Sequence, residues 1–166
     1  LMSNPFQWAQ MNKTVIPSIC QYTWNLKDFD AEEVYENQMK YVMDNEELAD
    51  AMLIFTNHND LRDFSKGEGS AALRTAINNF KASITEENAE KVLVEINKVV
   101  DAMEVLKTEE KYENTAMYDQ LLPYTSALQD LATSIQNYML MFEEGSNVIA
   151  LGLESDALYA RHSTYK

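Results

Sequence analysis

The chain is poor in residues that interrupt helices: of 166, four are glycine and three are proline. So few breakers leave little room for tight turns, which argues against many short strands and for a few long elements. Cysteine occurs once, as Cys20, so no internal disulfide can hold the fold. In VIPSICQY that lone thiol is expected to be a small buried apolar side chain rather than a reactive group. Basic residues are also scarce, 13 Lys and Arg against 27 Asp and Glu, for a formal net charge of −14. Phosphate backbones are held by Lys and Arg that displace counterions. Direct nucleic-acid binding is therefore not expected, and neither is attraction to anionic lipid. The balance leaves room for a basic partner or a cation, although solubility alone accounts for it.

Long apolar runs are missing too. No stretch of about 18 uninterrupted apolar residues occurs, so no membrane span is expected. The nearest candidate, YMLMFEEGSNVIALGL, is broken by Glu143, Glu144 and Gly145. The opening LMSNPFQWAQMNK lacks a basic region followed by an apolar core and does not read as a signal peptide. The chain opens on Leu rather than Met, as expected of a processed product, and the reading leans toward an exported or cell-surface setting.

What the sequence does contain is apolar periodicity. Hydrophobic residues make up 46% and charged residues 24%, enough for a single domain over 1–166 with a real core. Residues 4–26 carry Trp8, Val15, Ile19, Tyr22 and Leu26 at loose helical spacing, with Pro17 predicting a kink or two shorter helices. From 31 to 64, Val34, Tyr41, Leu48 and Phe55 recur every seven residues, and Tyr35, Met39, Val42, Ala49, Met52 and Leu53 widen the stripe. Asp30 is the expected cap, with a further break near TNHND. SKGEGS predicts a stop at Gly67 or Gly69 and a new cap at Ser70. A shorter helix over about 70–83 follows. Thr85 then caps a helix over 86–108, with Glu87 placed to pair with Lys91. The last long helix is predicted over 115–143. Its stripe is Met117, Leu121, Tyr124, Leu128, Leu131, Ile135, Tyr138 and Phe142, kinked but continuous across Pro123 and ended by Gly145. A short helix over about 147–161 closes the pattern.

Stripes of this kind must be buried, and burying them against one another makes an antiparallel bundle of five to six helices. Each Leu or Ile buried contributes roughly 1.5–3 kcal/mol. A dimer is expected only if the stripes cannot all be satisfied within one chain.

Catalytic and cofactor patterns are sparse. Di-iron bundles use Glu-x-x-His, which is absent; His58 and His162 both fall near predicted helix ends. Glu33/Glu36, Glu47/Asp50 and Glu110/Glu113 each share a helix face and read as solvated surface. NHNDLRDFSKGEG is rich in oxygen but has Arg62 where a calcium loop starting at Asn57 needs its glycine. No phosphate loop, dinucleotide fingerprint, HExxH or CxxCH occurs. The nine Met read as core filler. No catalytic residue, metal ligand or cofactor is therefore expected.

Two features remain. Nine Tyr include several beside the stripes, Tyr35 and Tyr41 among them, and tyrosine is enriched at interfaces. The segment from Asp28 to Asp63 holds eleven acidic residues against Lys40 and Arg62. Together they single out Tyr35, Tyr41, Glu36, Asp44, Glu47 and Asp50 as candidate partner-binding residues. The layout is similar to helical-bundle modules of bacterial surface and sensory proteins, though no motif carries the likeness. The expected function is a non-enzymatic binding module, a piece of a larger exported or surface protein. The alternative is an acidic inhibitor, or nucleic-acid mimic, that occupies a basic site on a partner protein.

Overall fold

The computed structural model describes residues 9–43, 45–58, 71–143 and 145–164. Among them the structure is all α, with seven α-helices, two short 3-10 turns and no strand. A turn at Met11–Thr14 leads into α1 (Ile16–Trp24), then α2 (Ala31–Met43) and α3 (Glu46–His58). After these come α4 (Ala71–Ala82), α5 (Glu86–Leu106), a turn at Glu109–Lys111, α6 (Thr115–Leu140) and α7 (Val148–His162). No helix among the described residues is long and apolar enough to cross a membrane.

Polar side chains fix the helix starts. Asp30 accepts from the backbone of Glu32 at 2.9 Å and of Glu33 at 3.1 Å. Thr85 accepts from Asn88 at 3.3 Å, Asn114 from Ala116 at 3.1 Å and Asn147 from Ala150 at 3.2 Å. Each satisfies amides that a helix start leaves without partners. The predicted Glu87–Lys91 pair forms at 2.6 Å, and its hydrogen bond and charge hold the Glu87 carboxyl below its usual range.

α5 is the spine of the bundle, packing against α3, α4 and α6. It buries nine residues, including Val92, Ile96, Val99, Met103 and Leu106, more than any other helix. One apolar cluster joins them to Met39, Leu48, Met52, Phe55, Phe80, Met117, Leu121 and Met139. α5 and α6 run antiparallel: Asn97, midway along α5, accepts from Gln136 at 2.8 Å, and Lys107, at the end of α5, reaches back to Gln129 at 2.6 Å. Lys111, just past α5, pairs with Glu47 at the start of α3.

The structure departs from the periodicity in three places. The helix predicted over 31–64 is two helices. Asn45 begins α3, its side chain accepting from Leu48 at 3.2 Å, with Glu46 and Glu47 in the first turn. A strong start signal outweighs a continuing apolar repeat. Tyr41 is consequently no core residue and stands 82% exposed, because α2 centres its buried face between Val34 and Met43. Around Pro17 the second expected outcome is the one found: two short helical pieces, the turn at Met11–Thr14 and α1, with Pro17 in the first turn of α1, where its missing N–H costs little. Lastly, α6 stops at Leu140, and Gly145 makes a left-handed turn (φ +82°) beyond it. The predicted break near TNHND, the end at 64 and the signals at Gly67, Gly69 and Ser70 fall wholly or partly outside the described residues.

α6 runs uninterrupted across Pro123. Two residues on, the buried Thr125 hydroxyl lies 3.2 Å from the carbonyls of both Leu121 and Leu122.

Candidate functional site

α6 is a helix with two buried faces. Its apolar face, including Leu121, Leu128, Ala132, Ile135 and Met139, belongs to the core cluster. A second stripe, Asp130, Ser134 and Asn137, is polar yet buried. It meets α7, which lies antiparallel: Asp130 is opposite Arg161, and Ser134 is opposite Ser155. Arg161 donates from Nε and Nη2 to the two carboxylate oxygens of Asp130. Ser134 Oγ donates to the Ser155 carbonyl at 3.0 Å, and Ser155 Oγ returns to the Ser134 carbonyl at 2.8 Å. His162 donates from Nδ1 to the Ala127 carbonyl at 2.8 Å. A Cβ at Gly152 would lie 3.5 Å from Cε of Met141, just past the end of α6, an ordinary contact.

α7 is therefore fixed by hydrogen bonds and an ion pair together with the half-buried Leu151 and Leu158. Ser155 is its only buried residue. At 3.6 residues per turn, Ile149, Ala150, Leu153, Ala157 and Ala160 gather on the side away from Ser155, and all are exposed. Ile149 is 78% and Leu153 69% exposed. Glu154 and Asp156 border this outward strip on its two sides, also exposed. Val148 and Tyr159 are exposed as well, nearer the Ser155 side of the helix.

α1 also leaves several apolar side chains outside. It buries none of its residues, and Val15, Ile16, Tyr22, Trp24 and Leu26 in and around it are exposed, Trp24 to 93%. Cys20 is exposed as well, contrary to the buried position expected for it; among the described residues α1 packs mainly on α2 and the turn before it. A third feature is an open groove of about 530 Å³ between α4 and α5, lined by Ala71, Ala72, Thr75, Asn79, Lys91 and Val94 among others.

The residues singled out from the sequence differ in exposure and in what they touch. Tyr35 is half-buried and packs against the core, whereas Tyr41 faces solvent. Glu36 and Asp50 are exposed. Glu47 is engaged by Lys111. Asp44 lies outside the described residues. Among the described residues, no three His, Cys, Asp or Glu are gathered as a metal ion would require.

The sequence reading missed the α6–α7 seam. Its signal was there: Asp130, Ser134 and Asn137 follow steps of four and three, the spacing of a buried stripe written in polar residues. No family model matches the chain, and no curated protein matches it.

Proposed function

We propose that the chain is a non-enzymatic helical-bundle module that binds another protein through apolar side chains held outside its core. The observation that carries this reading is the outward strip of α7, whose inner side is pinned by Asp130, Ser134 and Ala127 while Ile149 and Leu153 point to solvent. Isolated exposed apolar residues are ordinary, but contiguous ones mark contact surfaces. Of the fourteen large apolar side chains exposed among the described residues, nine lie in and around α1 and α7. The acidic-inhibitor reading has weaker support. Exposed carboxylates are carried by α2, α3, α5 and α7 rather than by one side of one helix.

Site-specific photo-crosslinking in the source cells tests the reading. A crosslinking side chain is placed at Trp24, at Leu153 and, as a control, at the exposed Glu90 of α5. A discrete protein adduct at position 24 or 153, absent at 90, is the expected result. The same smear of adducts at all three positions would overturn it.

A further inference from the structure

The strip on α7 also carries information about what covers it. Its centre is small, with Ala150, Ala157 and Ala160 around Ile149 and Leu153. Small residues let a second helix axis approach closely, and the two larger ones then act as knobs in its surface. The borders are acidic. Glu154 and Asp156 flank the strip, and no ion pair engages either of them among the described residues. The helix has a single arginine, Arg161, and that charge is matched by the buried carboxylate of Asp130. The outward face therefore presents an apolar strip with uncompensated negative edges.

We infer that this face docks an amphipathic helix of a partner protein whose apolar stripe is bordered by Lys or Arg. The inference rests on the binding-module reading and names its partner by chemistry. Helices recognised in this way insert residues spaced three and four apart, and matched charge at the rim sets orientation and speeds encounter. A second copy of the chain fits worse. Two α7 strips laid antiparallel across Leu153 and Ala157 would set Glu154 of one copy against Glu154 of the other, and Asp156 against Asp156. An anionic lipid surface fits worse for the same reason.

The test uses two fluorescent helical peptides with the same leucine stripe, one bordered by lysines and one by glutamates. Binding is read by anisotropy against the full chain, against Leu153→Ser and against the double variant Glu154→Gln, Asp156→Asn. These positions are exposed, so the variants retain the fold, and circular dichroism checks that they do. The lysine peptide is expected to bind the unaltered chain about ten-fold more tightly than the glutamate peptide, with Leu153→Ser weakening it about ten-fold. The double variant is expected to lose most of the preference between the peptides. Equal binding of the lysine peptide to the unaltered chain and to Leu153→Ser would overturn the proposal, since general negative charge would then explain it. Equal binding of both peptides, or of neither, would also overturn it. Adducts at Trp24 in the crosslinking experiment would in that case still uphold the binding module, with its partner seated on α1.

Discussion

Asp130, buried in α6, accepts two hydrogen bonds from the guanidinium of Arg161 in α7, which itself stays largely in solvent. The two partners are unequal. Removing Arg161 strands a buried carboxylate, whereas neutralising Asp130 frees a guanidinium that water can hydrate. Arg161→Ala is therefore expected to cost about 2 kcal/mol, less than for a fully buried pair because water already reaches this one. Asp130→Asn is expected to cost about 1 kcal/mol. Urea unfolding midpoints of the two variants check the order; a larger loss for Asp130→Asn would contradict it.

The two glycines around α7 should respond in opposite directions. Gly152 lies within the helix, and a methyl group there would meet only Met141 Cε at an ordinary 3.5 Å. Gly152→Ala is expected to stabilise by about 0.5–1 kcal/mol through helix propensity. Gly145 has φ +82° with open space around it, so its constraint is the backbone alone. Gly145→Ala is expected to destabilise by about 1 kcal/mol. Thermal melts of the pair, one rising and one falling, give the check.

Tyr112 ties stability to alkaline pH. Its hydroxyl donates to the Leu106 carbonyl at 2.8 Å, where the chain turns from α5 toward α6. Burial, and secondarily Tyr118, pushes its phenol well above the ordinary value of 10.0. The unfolded chain thus gives up this proton first. The contribution is full below about pH 10 and declines as the pH rises beyond it. Tyr112→Phe should cost about 1 kcal/mol at neutral pH, from the lost hydrogen bond. It should also flatten the fall in stability above about pH 10. An unchanged alkaline slope would contradict the assignment.

Cys20 provides a check on α1. Because it is exposed in a helix with no buried residue, a thiol reagent should modify it fully in the folded protein, at a rate unchanged by moderate urea. A thiol that reacts only after unfolding would place α1 against the core instead.

The helices and their caps were legible because each depends on near neighbours in the chain. Asp30 and Thr85 cap where they were expected, and the stripe of α5 is buried along its length. The break at Asn45 was local too, but the seven-residue repeat running through it masked it. Tyr41 was misread for the same reason, since the repeat carried it past a change of helix. The candidate site was hidden for a different cause. Whether a polar stripe such as Asp130–Ser134–Asn137 faces water or another helix depends on what packs there, and Ser155 and Arg161 lie more than twenty residues away. Which side of α7 leaves Ile149 and Leu153 in solvent depends in the same way on the seam that holds its other side.

The most direct measurement is an amide-resolved NMR titration of the full chain with the lysine-bordered peptide. Shifts concentrated in residues 148–161, with little change across 31–58, are the predicted result. Shifts concentrated on the acidic α2 and α3, with α7 silent, would contradict the claim that α7 is the binding face.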